Sequence, residues 1–209
     1  MNVTSLPKEY ISSIQSADLL TTEAERCSCL SGLIAELFDR SRRHARTSVM
    51  VTSPHRKAGV SFICSYIAAE LASRGAKVLL VDAHALLDVR TLSSRSVTSL
   101  CRQVGPHYLW VLGKEETAGL RGGESKGRSS AIGILLHELE RDFPYLLIDA
   151  PALSAGPDCE LFATSVYGTV IVTRTNQTQV AELQKTYKAL TALGGRVLGS
   201  VFNAHLSQK

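Results

Sequence analysis

The chain has 209 residues, 44% hydrophobic and 20% charged, a soluble globular balance with room for one generous domain. That balance excludes disordered and low-complexity architectures, and a core of this size requires neither disulfides nor a structural zinc. A net charge of +4 is too mild to name a nucleic acid as partner. The five cysteines, at 27, 29, 64, 101 and 159, form no C-x-x-C pair, which points to a reducing, cytoplasmic setting.

Residues 1–29 are polar, Ser/Thr-rich and weakly patterned, and read as a flexible arm with a short helix around Tyr10–Ile14. Met1–Pro7 lacks the basic start and apolar stretch of a signal peptide, and no window approaches the ~18 apolar residues of a membrane span. From Leu30 the spacing of Leu33, Ile34, Leu37 and Phe38 predicts a helix with one apolar face. It runs into a basic cluster, Arg40, Arg42, Arg43, His44 and Arg46, that suits a solvated helix end or an anionic surface.

A regular alternation follows. Ser48–Thr52 predicts a buried strand, Ser53–Val60 a loop, and Ser61–Ser73 a helix closed by Gly75. Lys77–Asp82 is a buried strand ending in a carboxylate, followed by a weaker stretch with a helix near 96–103 and a strand at Tyr108–Leu112. The Gly-, Ser- and charge-rich segment 113–130 predicts a mobile loop. A helix over Ile132–Arg141, a strand over Tyr145–Asp149 and a helix over 158–166 come next. Strand Thr169–Thr173, helix Thr178–Leu193 and strand Arg196–Phe202 complete the set. Short apolar strands alternating with amphipathic helices predict an α/β fold, a mostly parallel sheet covered by helices on both faces. Ligands of such sheets bind beyond the carboxyl ends of the strands. Thr52, Ser53, Asp82 and Asp149 all fall there.

A strand, a loop and a helix, with two further strands each ending in Asp, is the layout of a phosphate-loop nucleotide site. Backbone N–H groups of such a loop face the phosphates, a Lys reaches them, and a Ser or Thr with a carboxylate holds Mg²⁺. V-T-S-P at 51–54, A-A-E-L-A-S-R-G-A-K-V-L-L-V-D-A at 68–83 and L-L-x-E-L-E-R-D-F-P-Y-L-L-I-D-A-P at 135–151 resemble the bacterial tyrosine kinases of capsule and exopolysaccharide synthesis. Asp158, T-V-I-V-T-R-T-N-Q-T at 169–178 and V-L-G-S-V-F-N at 197–203 extend the likeness over roughly 30–205. The resemblance implies a P-loop NTPase fold of the MinD/ParA-like group over 30–209. It implies ATP or ADP with Mg²⁺ as cofactors. It assigns phosphate and base contacts to Lys57, Gly59, Ser61 and Asn203, the last at the adenine. Metal and catalytic roles fall to Ser61, Asp82 and Asp149.

The loop departs from that family. Where the family reads T-S-x-x-P-G-E-G-K-[ST], residues 52–61 read T-S-P-H-R-K-A-G-V-S. A glycine becomes Lys57 and the phosphate-binding lysine becomes Val60, while Gly59 and Ser61 remain. An alternative alignment with a two-residue deletion matches Lys57–Val60 to the lysine segment of MinD-like proteins, again without a lysine before Ser61. The family's D-x-D-x-R is Asp82-Ala83-His84-Ala85-Leu86, which has lost the second Asp and the Arg. One lost charge-assisted phosphate bond removes about 1.5–3 kcal/mol, or roughly 10–100-fold in affinity. A lost transition-state donor costs about 10²–10³ in rate, and a side chain at a positive-φ glycine adds ~1 kcal/mol. Weak nucleotide binding with inefficient phosphoryl transfer is the expectation, unless His55, Arg56 or Lys57 substitutes a cation. The family's E-x-x-R-x-x-R assembly segment falls at Glu36, Asp39 and Arg42 with its central Arg replaced, and residues 203–209 carry no tyrosine cluster.

The leading expectation is therefore a degenerate, catalytically weak or inactive relative of these kinases. It would be cytoplasmic, and would regulate or scaffold a membrane-anchored polysaccharide chain-length or export protein that brings it to the inner membrane. Homo-oligomers remain open. One rival is an active ATP-dependent tyrosine kinase or ATPase with an unorthodox cation. Another is a MinD/ParA-like positioning protein that binds membrane or DNA through Arg40–Arg46. Ser61 reads equally as a helix N-cap, and Asn203 as a cap for the loop after the last strand. The six histidines share no metal-ligand spacing, Cys27 and Cys29 read as free thiols, and Tyr108 and Trp110 read as core or strand-face residues.

Overall fold

The computed structural model describes residues 32, 34, 35, 48–90, 92–104, 108–120, 128–175 and 177–203. The arm at 1–29, the basic cluster Arg40–Arg46, the assembly segment Glu36–Arg42, Cys27, Cys29 and the chain end at 204–209 lie outside them. Of the helix expected from Leu30, residues 32, 34 and 35 are described as helical, and Ile34 is fully buried.

The elements in chain order are β1 (Ser48–Thr52), α1 (Val60–Ser73), β2 (Val78–Asp82), α2 (Ala83–Val89), α3 (Ser94–Leu100) and β3 (Arg102–Gln103). Then come β4 (Leu109–Leu112), α4 (Arg128–Asp142), β5 (Tyr145–Asp149), a short 3₁₀ turn (Leu153–Ala155) and α5 (Asp158–Ala163). β6 (Gly168–Arg174), α6 (Val180–Ala192) and β7 (Val197–Asn203) close the series. The strands form one seven-stranded sheet in the order β3-β4-β2-β5-β1-β6-β7, parallel throughout except for β3 against β4.

Residues alternate between the sheet's two faces, so each central strand feeds two cores. Val49, Val51, Val78, Leu80 and Leu147 pack with α1 through Ile63, Ile67, Ala68 and Leu71. Met50, Leu79, Val81, Leu146 and Ile148 face the other way, onto Leu136, Leu139, Phe143, Phe162 and Leu190 of the opposite layer. Each fully buried Leu, Ile, Val or Phe contributes about 1.5–3 kcal/mol relative to exposure, enough to fix the register of short strands. At the amino end of β1, the Glu140 carboxylate of α4 accepts from the Ser48 hydroxyl at 2.6 Å and the Ser48 N–H at 3.3 Å.

The structure corrects several boundaries. α3 ends at Leu100, where Cys101 turns into β3, a strand too short to leave a periodic signal in sequence. Residues 83–89, read as weakly patterned, form α2 because Asp82 caps it. Within the segment 113–130, residues 113–120 and the start of α4 at Arg128 are described, and 121–127 lie outside the described residues. Glu116 accepts from the Gly113 N–H at 2.8 Å and pairs with Arg102 at 2.8 Å, which folds 114–119 into turns. Tyr108 is 57% exposed and precedes β4, so it is not a core residue. Trp110 is a strand-face residue that meets Phe143 edge-on at 5.6 Å, with the Lys77 ammonium 5.3 Å from its ring. Cys64, Cys101 and Cys159 are free thiols.

Candidate nucleotide site

The carboxyl ends of β1, β2, β5, β6 and β7 open into a cleft of about 750 Å³, within the usual range for a small-molecule site. Among the residues singled out from the sequence, Ser53, Arg56, Lys57, Gly59, Val60, Ser61, Asp82, Asp149, Asp158 and Asn203 line it, whereas Thr52 and His55 do not.

The loop between β1 and α1 is fastened on two sides. On one, the Thr52 hydroxyl donates to the Pro151 carbonyl at 2.7 Å, and the Leu153 N–H donates to the Ser53 carbonyl at 2.9 Å. On the other, Arg174 Nη1 donates to the Lys57 carbonyl at 3.2 Å and Asn203 Nδ2 to the Ala58 carbonyl at 2.9 Å. His55 Nε2 lies 2.8 Å from Glu182 Oε1 on α6, so His55 is drawn out of the site and supplies it no cation. Two loop residues have left-handed backbones, Lys57 at φ 66° and Gly59 at φ 93°. Lys57 therefore holds a conformation natural to the glycine it replaces, at about 1–2 kcal/mol.

α1 begins at Val60, with Gly59 as the N-cap and no side-chain cap. Ser61 is thus the second helical residue, not the cap: a left-handed residue already turns the chain into the helix one step earlier. Val60, the first residue of α1, lines the cleft as an apolar wall. At this end of the cleft an anion would meet the loop's backbone and the positive end of a 14-residue helix, with Arg56 and Lys57 also lining the cleft.

The opposite wall is carboxylate. Asp82 and Asp149 end adjacent strands and are register partners. Asp82 Oδ1 accepts from the His84 N–H at 2.8 Å and the Ala85 N–H at 3.2 Å, which makes this side chain the cap of α2. Burial first, and then the charge of Asp149, push the Cys64 thiol of α1 well above its ordinary value. Asp149 thus acts electrostatically on the helix that carries Ser61. Ser61, Asp82 and Asp149 offer one hydroxyl and two carboxylates, the hard oxygen donors that Mg²⁺ takes beside phosphate and water. No cluster of three or more His, Cys, Asp or Glu among the described residues forms a metal cage. A metal here would share its shell with a ligand.

Lys114, Arg174 and His84 were less visible in sequence than Arg56. Lys114, two residues beyond β4, lines the cleft as a cation, as do Arg56 and Arg174. His84 also lines it and approaches Asp158 at 3.9 Å. The available signal for Lys114 was its place just past a strand's carboxyl end, obscured by the Gly- and charge-rich segment around it.

No family model matches the chain. In sequence it is similar to a Staphylococcus aureus protein that carries the name tyrosine-protein kinase CapB, 25% identical over 185 residues, covering 82% of this chain and 81% of that protein. In fold it is similar to the kinase domain of the Escherichia coli tyrosine kinase ETK, with TM-score 0.67, 18% identity and coverage of 86% and 76% of the two chains. It is likewise similar to the septum site-determining protein MinD of Pyrococcus horikoshii in complex with Mg-ADP, with TM-score 0.59, 16% identity and coverage of 78% and 72%. The arrangement of sheet and helices thus resembles that of the ETK kinase domain and of MinD, and the sequence is similar to that of the staphylococcal protein.

Proposed function

We propose that this chain is a nucleotide-binding, catalytically weak relative of the bacterial tyrosine kinases. In this reading it regulates or scaffolds a membrane-anchored polysaccharide polymerisation and export protein. The observation that carries the reading is Val60: the loop and helix N-terminus retain a phosphate-binding frame, and the lysine that would neutralise phosphate charge is gone. Loop amides and α1 would receive the phosphates, with Ser61 and Asp149 as the hydroxyl and carboxylate toward Mg²⁺. The metal, when bound, neutralises charge across the phosphate oxygens. Asp82, already committed by one oxygen to α2, has less freedom to take a proton from an acceptor hydroxyl. Among the described residues no helix is long and apolar enough to cross a membrane, so attachment through a partner is the route proposed. Titration calorimetry with Mg-ADP and Mg-ATP tests the reading, alongside measurement of ATP turnover. Binding in the micromolar to millimolar range with turnover at least ~10²-fold below an intact P-loop enzyme is expected. Turnover equal to such an enzyme refutes it.

A second reading rests on the cations Arg56, Lys57 and Lys114 around the same cleft. An active ATP-dependent kinase would use one of them in place of the missing lysine. Single Ala substitutions that abolish turnover without lowering stability would select this reading over the first.

A further inference from the structure

Two side chains from neighbouring strands reach the phosphate loop at consecutive carbonyls. Arg174 at the end of β6 holds the Lys57 carbonyl, and Asn203 at the end of β7 holds the Ala58 carbonyl. Among the described residues no peptide bond is cis, so within each peptide unit of the loop the N–H points opposite to the carbonyl. Drawing the Lys57 carbonyl toward β6 turns the Ala58 N–H the other way, and drawing the Ala58 carbonyl toward β7 does the same to the Gly59 N–H. The sheet order puts β5 and β2, with Asp149 and Asp82, on that other side of β1. The left-handed backbones of Lys57 and Gly59 suit a turn in which successive amides converge on one anion.

Gly59 marks the same contact from the opposite direction. A Cβ at this position would lie 2.2 Å from Asn203 Nδ2, so the Asn203 amide occupies space that any other residue at 59 would claim. The asparagine that the family likeness would send to an adenine ring is instead pressed against the loop.

We infer that Arg174 and Asn203 are positioning residues that hold the Ala58 and Gly59 amides as a nest for the diphosphate of a nucleotide. Asn203 then serves the phosphate end of the ligand and not its base. The inference rests on the nucleotide-binding reading above and adds a division of labour to it. With no lysine at position 60, the backbone amides carry a larger share of phosphate affinity, and their orientation depends on two side chains remote in sequence.

The test compares Mg-ADP with Mg-pyrophosphate as ligands of the full chain, by calorimetry, for the wild type and for Asn203→Leu, Arg174→Met and Arg174→Lys. Asn203→Leu, which removes the donor without changing charge, is expected to weaken both ligands by the same factor, about tenfold. Arg174→Met is expected to do likewise, and Arg174→Lys to recover most of the loss. Loss of ADP affinity in Asn203→Leu with pyrophosphate binding intact overturns the inference, because that is the signature of a base contact. Unchanged affinity for both ligands overturns it too. A ligand-free readout stands beside these, because Arg56 and Lys57 are tryptic sites within the loop. Cleavage there is expected to be several-fold faster in Asn203→Leu and Arg174→Met than in the wild type, and equal rates refute the straps. Wild-type protein that binds neither ligand refutes the nucleotide reading and the phosphate role together. The tryptic comparison then judges the straps by themselves.

Discussion

The two walls of the cleft have been treated differently. On the carboxylate wall Asp82 and Asp149 end paired strands, and Asp82 is engaged as a helix cap. The loop wall is defined more by its backbone than by Val60, the apolar first residue of α1. Lys57 adopts the left-handed conformation of the glycine it replaces, and α1 still starts behind Gly59. Backbone shape at this loop is set by neighbours on both sides, Pro151 and Leu153 on one and Arg174 and Asn203 on the other. A single side chain such as Val60 has no such enforcement. The shape of this loop therefore does not depend on the side chain at position 60.

The sharpest way to break this contrast is to return the lysine. Val60→Lys is expected to raise Mg-ADP affinity roughly 10–100-fold and ATP turnover by about 10²–10³, read by calorimetry and phosphate release. No gain in either would mean that the loop backbone is not a working frame. On the other wall, Asp149→Asn is expected to lower Mg-nucleotide affinity about tenfold while leaving metal-free nucleotide binding nearly unchanged. An equal effect with and without Mg²⁺ would assign Asp149 a structural place only. Lys57→Gly relieves a left-handed side chain and is expected to stabilise by about 1 kcal/mol or less, measured by urea unfolding. A clear loss of stability would mean that the Lys57 side chain itself holds the loop.

The smallest effect concerns Glu182. The backbone N–H of Gln179, and then the hydrogen bond from His55, hold its carboxyl below the usual carboxylate range. A lowered folded-state value gives stability that is present above the unfolded carboxylate value and lost as pH falls through the folded one. Glu182→Gln should therefore narrow the difference in thermal midpoint between neutral and acidic buffer, by a small amount suited to an exposed pair. An unchanged difference would remove His55–Glu182 from the loop's supports.

Much of this was legible in the chain. Buried strands such as Val78–Asp82 and Tyr145–Asp149 announce themselves because both faces are covered, which makes them continuous apolar runs. Asp82, Asp149 and the loop residues were legible because strand ends and a strand–loop–helix turn are readable in order. What stayed hidden depends on contacts between distant residues. The bonds from Asn203 to Ala58 and from Arg174 to Lys57 span 145 and 117 positions, so no local pattern reports them. α2 was missed for a related reason, since a seven-residue helix owes its start to the Asp82 carboxylate more than to its own periodicity. Lys114 sits among charged neighbours that give it no distinction until β4 is seen beside β2.

The Ser48–Glu140 contact lies at the far end of β1 from the cleft, one short strand of roughly 16 Å away. It adds to the register that core packing gives β1 against β5 and β6, and that register fixes how far Thr52 and Ser53 project at the other end. The molecule thus keeps its ruler and its workplace apart. Substitutions in the loop can accumulate without shifting the strand that measures out its position, and errors at Ser48 would misplace a loop whose own sequence was perfect.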